Sequence, residues 1–182
     1  GPTMRPLAKI FLLVILIMTT ASQITEAKPY HAYSPPSSIT VWVYHLRGDG
    51  SIDPSYTLCS SGDTSYGCTA ISSRSYPYPA NPVTVPIETD YLLDVVPKEV
   101  SVEAFHPTAI QAQAIAARSY AYWHIRQGST INNSTQFQVF VPYAFEALPP
   151  TTFPDNPSNP CTSSNLNADQ RIVCNAVAPR HY

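Results

Sequence analysis

The residue types in this chain that carry chemistry most readily are its four cysteines, its five histidines and a few charged side chains set among apolar neighbours. Cys59, Cys68, Cys161 and Cys174 form an even set, which in an oxidising compartment reads as disulfides; as thiolates the same residues would serve zinc. No Cys-x-x-Cys occurs, and His31, His45, His106, His124 and His181 fall at no ligand spacing, so the sequence assigns no metal. Cys59 with Cys68, and Cys161 with Cys174, are the sequence-local pairs, but four cysteines allow three connectivities and the sequence does not choose among them.

Three further groups stand out. In "TDYLLDVVPKEV", Glu99 follows Lys98 just past an apolar segment; taken alone, such a pair is a solvated helix end. Arg118 lies in an alanine-rich stretch whose pattern is that of a buried helix, and a buried guanidinium needs a partner. Gln113 and Tyr120 fall together on one edge of that stretch, with Arg118 on the other. Two short signals carry less. The tripeptide Arg47, Gly48, Asp49 is accounted for by a turn, and the sequons headed by Asn132 and Asn133 matter only in a glycosylating host.

The elements that must hold these groups follow from periodicity and punctuation. Residues 38–46, "SITVWVYHL", are β-branched and aromatic and predict a strand, followed by a turn at "RGDGS". Residues 82–88 predict a short edge strand, because a proline interrupts them. Thr89 is the expected N-cap of a short helix that Pro97 ends. Residues 106–128 give the clearest helix, with Pro107 at its first position and Gly128 just past its end. Ile110, Ala114, Ala117, Ala121 and Ile125 form its apolar stripe. The stripe is mostly alanine, so neighbours can approach closely and the helix should be central. Residues 134–143 have strand character, 148–168 read as loop, and 169–178 as a short helix. The expected class is α+β: short, mostly antiparallel strands around one long Ala-rich helix and one short helix.

Composition bounds the rest. Of 182 residues, 44% are hydrophobic and 12% charged, with 19 prolines and a net charge of −2. There is enough apolar material for a core, and the chain lacks the clustered cations that a nucleic-acid partner requires. After Met4, the basic residues Arg5 and Lys9 precede the apolar run "IFLLVILIM", and small residues follow up to Ala27. This is the pattern of a signal peptide over residues 4–27, too short an apolar run for an ordinary membrane span. The chain is therefore expected to be exported, extracytoplasmic, in the cell wall or secreted. It would be tied to a membrane only if that segment were retained. Residues 28–37 read as a flexible leader and 38–182 as one domain.

Within that domain, three motifs in order carry a resemblance. They are Tyr91, Leu92, Val95, Val96, Pro97 and Glu99; then Ala112, Gln113, Ala114, Ala116, Ala117, Arg118, Ser119, Tyr120 and Ala121; then Gln138, Val139 and Phe140. The chain resembles the stage II sporulation protein D family, which includes the amidase-enhancer domains of bacterial wall hydrolases. The likeness is strongest over residues 84–145. It departs from the family pattern at Val100, where methionine is usual, and at Thr108, where an acidic residue often starts the long helix. The family's domain normally continues to a Gly-Gly segment, so the domain is expected to be shortened at its C-terminus.

The resemblance implies a lytic transglycosylase that cuts peptidoglycan between N-acetylmuramic acid and N-acetylglucosamine, with Glu99 as the catalytic acid/base. One carboxylate suffices for this reaction, because the muramoyl 6-hydroxyl replaces water as nucleophile; ordinary glycosidases need two. It also implies Arg118, Gln113, Tyr120 and Gln138 as substrate-binding candidates, Arg118 by holding Glu99 or by pairing with a sugar carboxylate. No cofactor is implied. The expected partners are peptidoglycan glycan strands. In the alternative reading the chain is a non-catalytic enhancer of a separate N-acetylmuramoyl-L-alanine amidase.

Overall fold

The computed structural model describes residues 34–55, 58–60, 62–68 and 81–178. The expected signal segment, and the leader up to residue 33, lie outside the described residues. Strand β1, Ser38–Trp42, alternates as a half-buried strand should, with Ile39 and Val41 inward and Ser38 and Thr40 outward. Beyond Trp42 the strand character expected as far as residue 46 gives way to single bridges at Tyr44 and Leu46. Here side-chain amides replace neighbouring strands. Asn81 accepts from the Val43 N–H at 3.0 Å and donates to the Val43 carbonyl at 2.7 Å. Asn133 accepts from the Tyr44 N–H at 2.8 Å and donates to the Tyr44 carbonyl at 3.0 Å. The buried Asn133 amide is thus fully engaged within the fold, which leaves that sequon unavailable in the folded chain.

Strand β2, Val83–Pro86, pairs antiparallel with β1, and the two-residue strand β3, Ile131–Asn132, pairs with it in parallel. The three-stranded sheet has the order β2-β1-β3 and is mixed, with the longer pairing antiparallel and the two-residue one parallel. Pro86 ends an edge strand, where its missing donor costs nothing.

The chain then enters a π-helical turn, Ile87–Tyr91, closed by the Leu92 N–H on the Ile87 carbonyl, and passes into helix α1, Leu92–Glu99. Two expectations fail here. Thr89 is inside the π turn and caps nothing. Pro97 lies within α1 rather than ending it, because a proline in the last turn forfeits only one hydrogen bond, and the Val100 N–H still reaches the Val96 carbonyl. Glu99 is therefore the last residue of a helix, not part of a loop.

Helix α2, Pro107–Gln127, has the expected limits: the His106 side chain accepts from the Thr108 N–H, and Gly128 ends the helix at φ 65°. Ile110, Ala114, Ala117 and Ala121 are buried. These small side chains let α2 pack against both α1 and helix α3, Ala168–Val177. Helix α3 begins with a capping box between Asn167 and Gln170. Among the described residues the architecture is thus mixed α and β, with α-helices at the three segments whose sequence reads as helical. The disulfides join the sequence-local pairs, Cys59 to Cys68 and Cys161 to Cys174. The second ties the short 3-10 turn Pro160–Thr162 to α3.

Residues 134–143 form no strand. Their β-favouring side chains Val139, Phe140, Val141 and Tyr143 are buried, but the backbone donors go elsewhere: Thr135 to the Gly50 carbonyl, Phe140 to the Asn133 carbonyl, Val139 to Glu99 and Tyr143 to Asp94. Side chains of α1 thus take the place of a partner strand.

Candidate functional site

Glu99 stands at the carbonyl end of α1, where the helix dipole opposes negative charge. Its Oε1 accepts the Val139 N–H at 2.7 Å, which offsets that opposition and fixes the carboxylate. The preceding residue, Gln138, is buried, and its Oε1 accepts from the Tyr91 hydroxyl at 3.1 Å. Tyr91 stacks on Phe140 with ring centroids 5.4 Å apart. Burial, then the Glu99 charge, then Tyr120 push the Tyr91 phenol well above its usual range. Burial and then Glu99 also raise Tyr120. Both phenols therefore stay protonated beside Glu99 at neutral pH.

Of the sequence-derived candidates, the structure brings Glu99, Gln138 and Tyr120 into one neighbourhood. Gln113 is half-buried on the same edge of α2 as Tyr120, but no hydrogen bond joins it to Glu99 among the described residues. Arg118 is elsewhere. Its guanidinium grips Glu88, with Nε on Oε1 at 2.8 Å and Nη2 on Oε2 at 2.7 Å. Nη2 also donates to the Val177 carbonyl at 2.5 Å, and the Tyr122 hydroxyl donates to Glu88 at 3.2 Å. Its hydrogen bonds to the Glu88 carboxylate hold the guanidinium above its ordinary pKa. The expected support of Glu99 by Arg118 is thus replaced by a clamp among the π turn, α2 and the end of α3.

Glu99 lines a hollow of about 390 Å³ together with Pro97, Ser101, Glu103, Leu148 and Asp169. A second hollow of about 300 Å³, lined by Tyr66, Val141, Tyr143 and Ala147, shares Pro97, Lys98 and Leu148 with the first. The two form one groove across the end of α1. Its far wall, residues 141–152, is held from two sides. Asp94, fully buried, accepts the Tyr143 N–H at 3.1 Å and the Phe145 N–H at 3.0 Å. From α3, Gln170 donates to the carbonyls of Phe145 and Thr152, and Asn167 to those of Leu148 and Pro150. Tyr143 is held at φ 65°, a conformation that a bulky residue adopts only when its surroundings impose it.

Sequence reasoning missed Asp94 and Glu88. The available signal for Asp94 was its position inside "YLLDVV", an acidic residue in a turn that is otherwise apolar and must be buried. Glu88 offered no comparable signal.

One group has the composition of a metal site. His45, Cys59 and Cys68 place potential ligand atoms within 4.8 Å of one another. With both sulfurs joined as a disulfide, neither is a thiolate, and only the imidazole retains ligand chemistry. His45 Nε2 is meanwhile 2.6 Å from Asp63 Oδ2.

The sequence profile of the family described as stage II sporulation protein, SpoIID, matches residues 80–177. That span contains π turn, α1, α2, β3 and α3, and with them every residue of the Glu99 neighbourhood. No curated protein and no solved structure matches the chain.

Proposed function

The chain belongs to the SpoIID family, a sporulation and cell-wall related group, and from that premise we propose that it is a lytic transglycosylase acting on peptidoglycan glycan strands. The observation that supports this reading most is the setting of Glu99, a carboxyl group pinned by one backbone N–H, flanked by protonated tyrosines and opening on a groove. In the protonated form Glu99 gives its proton to the glycosidic oxygen as the bond from C1 of N-acetylmuramic acid breaks. The 6-hydroxyl of the same sugar then bonds to C1 and returns its proton to the Glu99 carboxylate. The products are a 1,6-anhydro end and a new N-acetylglucosamine end, with no water consumed. Arg118 is left out of this scheme and Gln113 has no assigned step; Tyr120 and Gln138 are proposed to shape the sugar site.

Glu103 and Asp169 line the same hollow, and a second carboxylate is what a hydrolytic glycosidase uses. The products separate the two chemistries. Mass spectrometry of digested denuded strands is expected to show anhydro-muramoyl ends, lighter by one water than hydrolysed ends, and none with Glu99→Gln. Hydrolysed ends would move the reaction to the carboxylate pair. Binding without any cleavage by the unmodified chain would favour the amidase-enhancer reading. An extracytoplasmic location is compatible with the family and the two disulfides.

A further inference from the structure

The groove is electrically divided. Glu99, Glu103 and Asp169 line the first hollow alone, whereas Lys98 borders both hollows and is the one charged side chain among the described residues that line the second. The floor of that second hollow is apolar, with Val141, Ala144, Ala147 and Leu148, and Tyr66 forms its wall. The Lys98 ammonium lies 5.1 Å from the centre of the Tyr66 ring, so cation and aromatic face occupy one corner.

Tyr66 is exposed, at 36%, yet the backbone around it is closely held. Its carbonyl accepts the Leu46 N–H at 2.9 Å. Gly67 follows at φ 90°, where a Cβ would stand 2.6 Å from Leu46 Cγ and 2.7 Å from the Tyr44 carbonyl oxygen. The Gly67 carbonyl accepts from Asn133 at 3.2 Å, and Cys68 is bonded to Cys59. Such fixation around an exposed aromatic gains no burial for its ring. It does remove the ordering cost of binding something against that ring.

We propose that Tyr66 and Lys98 form an acidic-sugar subsite, in which the ring stacks on a sugar face and the ammonium pairs with a carboxylate on that sugar. This rests on the reading of the groove as a glycan site, and it sets the direction of the strand. An acidic amino sugar is repelled by Glu103 and Asp169 and attracted by Lys98, so the muramoyl unit lies on the Tyr66 side of Glu99 and the neutral N-acetylglucosamine on the other.

The test uses the full disulfide-bonded chain and two probes of equal length: an alternating N-acetylglucosamine–muramic acid tetrasaccharide with free lactyl carboxylates, and the neutral N-acetylglucosamine tetrasaccharide. Dissociation constants are measured by calorimetry on the Glu99→Gln background, so that nothing is cleaved. Tyr66→Ala is expected to weaken both probes about tenfold, and Tyr66→Trp to retain them. Lys98→Gln is expected to weaken the acidic probe alone by about fivefold and to abolish its sensitivity to salt. Unchanged affinities in the Tyr66→Ala and Lys98→Gln variants, equal losses for both probes on Lys98→Gln, or no binding of either probe to the parent chain would each overturn the subsite. Retention by Tyr66→Trp guards against mistaking a misfolded turn for a lost contact. The cleavage reading fails separately. Tyr66-dependent binding without anhydro products from the unmodified chain leaves the subsite standing, and Glu99-dependent cleavage indifferent to Tyr66 and Lys98 removes the subsite alone.

Discussion

Glu88 and Glu99 flank the same helical segment, one before it and one at its end, and the fold treats them oppositely. Glu88 receives two hydrogen bonds from Arg118 and one from Tyr122, so both its oxygens are engaged and its charge is paired. Glu99 receives a single backbone N–H, has no cation paired with it among the described residues, and opens on the groove. A carboxylate held at one oxygen and left free at the other is positioned without being used up. The contrast teaches that the arginine of the long helix is spent on holding the π turn to α2 and α3, while the carboxylate with fewer partners is the one that faces the groove.

The comparison breaks most directly at Glu99 itself. Glu99→Gln keeps the shape and an acceptor for the Val139 N–H but cannot exchange a proton. Formation of anhydro ends is expected to fall by about 10²–10⁴-fold, the usual contribution of a general acid/base, with the melting temperature nearly unchanged. A comparable loss of cleavage from Glu88→Gln would erase the distinction between the two carboxylates.

Asp94→Ala should have the next largest effect, this time on stability. It strips acceptors from the buried N–H groups of Tyr143 and Phe145, at about 1–3 kcal/mol for each unsatisfied donor. Thermal unfolding should drop accordingly, and cleavage should fall with it, because the groove wall at residues 141–152 loses its hold on α1. Native-like unfolding of this variant would show that Gln170 and Asn167 suffice to hold that wall.

Arg118→Ala sharpens the comparison from the other side. The pair it breaks is only part-buried, with side-chain exposures of 18% and 34%, so the loss is expected at about 1–3 kcal/mol, below that of a fully buried pair. For a chain of this size that lowers the melting temperature by roughly 3–10 °C. At a temperature where the variant stays folded, its cleavage rate should match the parent's. A rate loss larger than the unfolded fraction explains would return Arg118 to the substrate.

The sequence made the long helix legible because its punctuation is local: Pro107 and Gly128 mark ends that need no tertiary partner. The motif singles out Glu99, and the structure sets it at the end of α1 beside the groove. What escaped was set by contacts distant in sequence. The run at residues 134–143 has strand composition, but Asp94 and Glu99 of α1 draw off the donors a neighbouring strand would have taken. Pro97 reads as a helix end, yet a proline so near the terminus costs α1 one bond only. The parallel pairing of β3 rests on two residues, too few to leave a periodic trace. A guanidinium in an alanine-rich helix needs a partner, but a helix edge alone does not say which of two carboxylates will meet it; here it is Glu88.

The smallest effect concerns alkali. In the folded chain the Tyr91 phenol lies above its ordinary pKa of 10.0, through burial first and the Glu99 charge second. Below pH 10 both the folded and unfolded states keep this proton and the shift contributes nothing to the pH dependence. As pH rises past 10 the unfolded chain releases the proton while the folded chain retains it, so unfolding gains free energy and stability declines. The urea midpoint should therefore fall between pH 9 and pH 11. At pH 9 Tyr91→Phe should lower the unfolding free energy by about 0.5–1.5 kcal/mol, since the hydrogen bond to Gln138 is lost. The same variant should flatten the alkaline decline, because it has no proton to lose at that position. A decline equally steep in Tyr91→Phe would assign the alkaline sensitivity to other phenols, Tyr120 first among them, since it too is raised by burial and by the charge of Glu99.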